Sequence, residues 1–179
     1  MESESVPTSE PVTRPAAPGT PMVEVTRAYR FSAAHRLHNP RFSAAENARI
    51  YGRCNNPSGH GHTYRLEVTI RGPVASGTGW IADGLRLDEV VRERVVRRFD
   101  RVNLDVLIAP EDGPTSTTEV LGALLWRILD GALPSGRLQR LRLEETPNNF
   151  FELEREGEGR SSRPTLPTPL SRGQKVSRP

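Results

Sequence analysis

An α+β domain, an antiparallel sheet with helices packed on one face, is the fold class that this sequence predicts. Three observations predict it: apolar residues alternate in two segments near the start, helical stripes follow in the middle, and a second alternating pair closes the chain. Between Val23 and Phe31 the apolar Val23, Val25, Tyr29 and Phe31 are interleaved with Glu24, Thr26 and Arg30, the pattern of a strand with one buried face. From Thr63 to Arg71 the alternation is cleaner, with Tyr64, Leu66, Val68 and Ile70 set against Arg65, Glu67, Thr69 and Arg71. Leu85 to Phe99 carries Leu87, Val90, Val91 and Val95 at helical spacing among Arg and Glu. A stronger helix follows, in which Val120, Leu121, Leu124, Leu125, Ile128 and Leu129 form one stripe. Ser116 and Glu119 are spaced before it as a capping box, and Gly131 and Pro134 mark its end. Leu141 and Leu143, then Phe151 and Leu153 beyond the Pro147-Asn148-Asn149 turn, alternate with charged residues and read as a terminal hairpin.

A chain of 179 residues holds one domain plus tails. Residues 1–21 are rich in Pro, Ser and Thr with almost no large apolar side chain, and residues 156–179 are similar with added Arg and Lys. Both are expected to be disordered, leaving 22–155 as the folded domain. No basic start precedes an apolar run and no segment approaches bilayer length, so a cytoplasmic location without a membrane partner is expected. The net charge of +3 owes much to scattered tail residues with no stacking aromatics between them, which argues against a nucleic-acid partner. One cysteine excludes an internal disulfide, and Cys54 is open to three readings: a core thiol, a metal ligand or a nucleophile.

Two of the four histidines stand in Gly59-His60-Gly61-His62, directly before the second strand. Residues two apart on a strand share a face, so both imidazoles extrapolate to the side of Tyr64 and Leu66. His35 has the buried parity of the first strand if that strand continues beyond Phe31. Three neutral imidazoles converging from two strands, with a fourth position open, make the donor set of a catalytic zinc site. The same residues are also compatible with ordinary hydrogen-bonded histidines. His38 lacks the parity and is assigned to the surface.

The segments Phe31-Ser-Ala-Ala-His35-Arg-Leu, Gly52-Arg-Cys54-Asn-Asn-Pro-Ser-Gly-His60-Gly-His62, Ser116-Thr-Thr-Glu119 and Glu145-Thr-Pro-Asn-Asn149 resemble, in order, the signatures of the 6-pyruvoyl-tetrahydropterin synthase family. The resemblance spans roughly Val23 to Glu154. It implies the tunnelling fold (T-fold), a four-stranded antiparallel sheet with two helices, closed into an oligomeric barrel. Trimers would stack as a homo-hexamer, a dimer of trimers, with sites between subunits. It further implies a lyase that releases triphosphate from 7,8-dihydroneopterin triphosphate to form 6-pyruvoyl-tetrahydropterin. In that reading Zn2+ is held by His35, His60 and His62, and Cys54 removes a side-chain proton of the substrate. Glu145 shares parity with Leu141 and Leu143, and a carboxylate on that side needs partners. The resemblance makes it the pterin anchor, while a salt bridge to a neighbouring arginine would also satisfy it. Thr117, Thr118 and Glu119 match residues lining the pterin pocket, although capping alone also explains Glu119.

One segment departs from the family. Where the family has Asp-His before Asn-Leu-Asp, this chain has Asp100-Arg101-Val102-Asn103-Leu104-Asp105. Asp100 is kept as a catalytic residue, but Arg101 cannot exchange a proton near neutral pH. Three functions remain open: an active lyase working through Cys54, zinc and Asp100; a 6-carboxytetrahydropterin synthase of the queuosine pathway; or a zinc-containing pterin-binding protein with little turnover. The Cys54 to His60 spacing resembles the pyruvoyl branch. Arg92, Arg94, Arg97 and Arg98 read as a solvated helix face, and no arginine is singled out for the triphosphate.

Overall fold

Alternation along the first strand keeps its phase beyond its last aromatic residue. β1 is Met22–His35 and β2 is His60–Pro73, paired antiparallel over their full length from Met22↔Pro73 to His35↔His60. The elements are those of a computed structural model describing residues 19–81, 84–108, 115–133 and 137–156. The tails expected to be disordered, and Pro134 as a helix stop, lie outside the described residues apart from a few at the tail margins. Tyr29, Phe31, Ala33 and His35 of β1 are buried together with Tyr64, Leu66, Val68 and Ile70 of β2.

β4 (Leu138–Thr146) pairs antiparallel with β2, and β5 (Asn149–Glu154) pairs antiparallel with β4, as the hairpin pattern anticipates. The expected four-stranded sheet gains a fifth strand. β3 (Val102–Asn103) runs parallel to β1 at Ala33 and Ala34, giving the mixed order β3-β1-β2-β4-β5. Two residues are too few to show a period, so this strand left no pattern in the sequence.

The helix expected over Leu85–Phe99 is built from α2 (Gly84–Val91), a wide π-helical turn (Arg92–Val96) and α3 (Arg97–Phe99). Leu87, Val91, Val95 and Phe99 are all fully buried. A stripe repeated every four residues drifts about 40° per step around a 3.6-residue helix. The widened turn takes up that drift and returns Val95 and Phe99 to the core. α5 (Thr118–Ala132) buries Val120, Leu121, Leu125 and Leu129 and packs on β4 and β5, while the π-helical turn packs on β1 and α5. Both helical segments therefore cover one face of the sheet. On the other face Arg65, Glu67, Arg142 and Glu144 form a ladder of alternating charge, with Arg142 3.8 Å from Glu67 and 3.9 Å from Glu144.

The capping box expected from Ser116 and Glu119 does not form. Thr117 is the N-cap of α5, its hydroxyl accepting from the Val120 amide, and Glu119 is exposed. A capping box does occur at Ser43 and Glu46, before α1 (Ala44–Tyr51). That helix buries only Asn47, so it has no apolar stripe to betray it. A 3₁₀ turn (Gly52–Asn55) follows it, and α4 (Leu104–Ile108) follows β3. No helix among the described residues is long and apolar enough to cross a membrane.

Candidate metal and substrate site

The histidines meet where β1 and β2 end together. His35 and His60 are direct cross-strand partners, and His62 lies two residues further along β2 on the same face. Ring centroids are 4.6 Å apart for His35 and His60, 5.3 Å for His35 and His62, and 4.9 Å for His60 and His62. One ligand nitrogen from each falls within 4.8 Å of the other two, so the group could hold a metal ion. His35 Nε2, His60 Nδ1 and His62 Nε2 are buried without a hydrogen-bond partner among the described atoms. Buried polar atoms are rarely left so, and three converging ones fit a cation. Gly59 permits the approach: its φ is +68°, and a Cβ there would lie 3.1 Å from the His35 carbonyl oxygen.

A second layer fixes His35, which is 2% exposed. Its Nδ1 lies 2.8 Å from the Ser116 carbonyl. A carbonyl only accepts, so Nδ1 carries the proton and Nε2 presents its lone pair. The Ser116 hydroxyl donates to Asp105 Oδ1 at 2.5 Å, and Asp105 Oδ2 accepts from the Arg36 amide at 2.9 Å. No local pattern in the sequence marks Ser116 and Asp105 as parts of a metal site, because their roles depend on contacts between distant segments. Burial lowers the pKa of both His60 and His62. In His60 the neighbouring His35 and His62 reinforce the effect, whereas in His62 the Glu145 carboxylate opposes it.

Glu145 sits at an irregularity in the β4–β5 pairing, where Glu144 opposes Phe150 but Thr146 opposes Asn149. A bulge of this kind re-aims a side chain, here toward the histidines. Glu145 Oε1 is 3.7 Å from His35 Nε2 and 3.6 Å from His62 Nε2, and it accepts from Thr118 Oγ1 at 2.7 Å. Asn149 Nδ2 donates to Oε2 at 2.8 Å. Burial alone would raise the carboxyl pKa, but the Thr118 and Asn149 hydrogen bonds, with His62 and His35 behind them, bring it below the ordinary value. The ion pairs of Glu145 among the described residues are with these histidines, not with an arginine.

Cys54 is a free, half-buried thiol in the 3₁₀ turn. That turn is tied to the end of β1: the Leu37 amide donates to the Cys54 carbonyl at 2.9 Å, and Arg36 Nε donates to the Asn55 carbonyl at 3.2 Å. His38, assigned to the surface, is instead half-buried against this turn, with Nδ1 3.0 Å from Asn55 Oδ1. Asp100 lies elsewhere along β1, its Oδ1 accepting from the Ser32 amide at 2.8 Å. Within one chain no described hydrogen bond or ion pair joins Asp100 to Cys54.

The family model for 6-pyruvoyl tetrahydropterin synthase matches residues 24–156. The chain belongs to the 6-pyruvoyl tetrahydropterin synthase family. The 6-pyruvoyl tetrahydrobiopterin synthase of Poecilia reticulata is 40% identical to it over 126 residues, covering 70% of this chain and 86% of the relative. The protein of the same name from Homo sapiens is 36% identical over 127 residues, covering 71% and 88%. The solved structure of Caenorhabditis elegans 6-pyruvoyl tetrahydropterin synthase matches with a TM-score of 0.70 at 34% identity, over 76% of this chain and 98% of that one. In this member of the synthase family, the family match runs through the β1 and β2 segments that carry the three histidines and the β4–β5 turn that carries Glu145.

Proposed function

We propose that this chain is a zinc-dependent carbon–oxygen lyase that converts 7,8-dihydroneopterin triphosphate to 6-pyruvoyl-tetrahydropterin with release of triphosphate. The observation that carries this reading is the convergence of three orphaned imidazole nitrogens beside a hydrogen-bonded carboxylate, in a chain whose family and named relatives are synthases of this kind.

His35, His60 and His62 would hold the zinc, leaving a fourth position open. Bound there, zinc supplies Lewis acidity to nearby substrate oxygens, which makes adjacent C–H protons easier to remove. Cys54, on the turn docked against the end of β1, takes such a proton as thiolate. Glu145 stays ionised near neutral pH because Thr118 and Asn149 donate to it, and it accepts ring N–H groups of the pterin. Thr118 thus acts through Glu145, while Thr117, the α5 cap, and the exposed Glu119 would line the pterin pocket from the start of that helix. Asp100 serves as the second proton-handling group. It would meet Cys54 in a homo-hexamer, a dimer of trimers closed into a barrel, whose sites are completed between subunits. The substitution of Arg101 for an imidazole favours a second reading, a zinc-containing pterin-binding protein with little turnover.

Product analysis on 7,8-dihydroneopterin triphosphate decides among the alternatives. The lyase yields free triphosphate and the 6-pyruvoyl product, a 6-carboxy product points to the queuosine branch, and no triphosphate release refutes the assignment. Metal analysis should find about one zinc per chain. If His60→Ala and His62→Ala both keep full metal, the ligand set is wrong.

A further inference from the structure

Arg101 is the one described residue other than glycine with a positive φ, 58°. A bulky residue held there is strained and persists only where its surroundings over-determine it, which makes the position a pointer to function. The surroundings here are explicit. The Arg101 amide donates to the Ser32 carbonyl at 2.5 Å, while the Asp100 carboxylate accepts from the Ser32 amide at 2.8 Å. Consecutive residues therefore occupy both main-chain groups of Ser32, and β3 continues the pairing at Ala33 and Ala34. The backbone of Arg101 is pinned, yet its side chain is 89% exposed. Its guanidinium touches only Asp100 among the described residues, Nε to Oδ2 at 3.4 Å. A cation with a fixed base and unoccupied terminal nitrogens is preorganised to receive something else.

What it faces is an open cleft of about 520 Å³ bordered by Ser32, Gly61, Thr63, Arg101 and Asn103, a volume suited to a small molecule. Among the described residues no carboxylate lines it and Arg101 is its one permanently charged lining residue, with Asp100 paired behind that guanidinium. The Ser32 and Thr63 hydroxyls share one hydrogen bond of 3.0 Å, which leaves one of the two O–H groups free to donate. Asn103 Oδ1 accepts from the Asp105 amide, so its Nδ2 remains a donor. A guanidinium, a hydroxyl and an amide N–H around one opening form a donor set for phosphoryl oxygens. His62 also borders the cleft, although strand parity turns its ring, with those of His35 and His60, to the opposite face of the sheet from Ser32, Gly61 and Thr63.

We propose that this cleft binds the polyphosphate chain of the substrate and that Arg101 is its principal determinant. The inference rests on the substrate reading above for the identity of the anion as a triphosphate. Because this chain's own histidines face the other side of the sheet, the pterin end of the same substrate is held by a neighbouring copy. The exchange of imidazole for guanidinium at this position then trades a proton-transfer group for a phosphate clamp.

The test uses inorganic tripolyphosphate as probe against the full chain with its metal bound, by titration calorimetry. Zinc content is measured alongside, because the probe also binds metal ions. Arg101→Gln should weaken tripolyphosphate binding about tenfold or more, the effect of removing one charge-assisted donor group. Arg101→Lys should weaken it less, since the charge remains and the fork is lost. Arg97→Gln, at an exposed helix position paired with Glu93, should leave binding unchanged. Equal binding by the wild type and Arg101→Gln, an equal loss in Arg97→Gln, or no binding at millimolar probe overturns the proposal. If Arg101→Gln loses the probe but the wild type forms no product from 7,8-dihydroneopterin triphosphate, the anion site stands and the lyase reading fails. If the wild type turns over and Arg101→Gln keeps its KM, the lyase stands and this inference fails.

Discussion

At the scale of single residues, the orientation of His35 depends on groups that never touch the metal position. Ser116 fixes its tautomer, and Asp105 holds Ser116 while also gripping the chain at Arg36. Asp105→Ala should lower zinc affinity about 10- to 100-fold, the usual penalty for losing an outer-shell partner. Competition against a chelator reads this directly, and unchanged affinity would remove Asp105 from the site. Position 101 gives a second prediction. Arg101→His should leave zinc content unchanged, raise KM and raise kcat by up to about 10²-fold by restoring an acid–base group. An identical pH–rate profile in both forms would place residue 101 outside proton transfer. The histidines were legible in the sequence because strand parity alone puts His35, His60 and His62 on one face. Ser116, by contrast, has the spacing of a helix cap in the sequence. Thr117 is equally able to cap, and what decides between them is Asp105, a contact that no local period encodes.

At the scale of elements, the two long strands and α5 were legible because each carries an uninterrupted period of two or of 3.6. Three features were not. β3 is too short, α1 is amphipathic only through the buried amide of Asn47, and the four-residue stripe of the α2–α3 path resembles an ordinary helix until its drift is followed. Gly59 shows how an element positions chemistry, since its left-handed backbone turns the chain into β2 directly before His60. Gly59→Ala must accept that φ and also bring its Cβ to 3.1 Å from the His35 carbonyl. It should cost about 1–3 kcal/mol of stability. Thermal unfolding of the two proteins measures this, and an unchanged Tm would show that the turn relaxes freely.

At the scale of the whole molecule, the site makes stability depend on pH with a definite sign. His60 and His62 titrate below their ordinary value of 6.5 in the folded chain. The unfolded chain therefore takes up protons first as pH falls through about 6.5, so acidification favours unfolding. Glu145, also lowered, adds a further loss as pH falls past the ordinary carboxylate range and on to its depressed folded value. Chelator-treated protein should keep a level Tm between about pH 7 and pH 9 and lose it progressively below about pH 6.5. A Tm that rises on acidification would contradict the lowered imidazoles.

The register that sets His35 opposite His60 also bears on the time course of folding. β4 and β5 are joined by a tight turn and can pair locally, whereas β1 and β2 must first bring together the ends of the loop formed by residues 36–59. The two histidines close the mouth of that loop. A metal ion bridging them acts as a clip across it, removing closure entropy from the open chain as a crosslink does. Refolding with zinc present should therefore speed the phase in which β1 and β2 zip together, while pairing within the β4–β5 hairpin proceeds at the same rate with or without it. Stopped-flow refolding with and without chelator separates the two phases, and equal rates for the slower one would show that the strands join before the metal arrives.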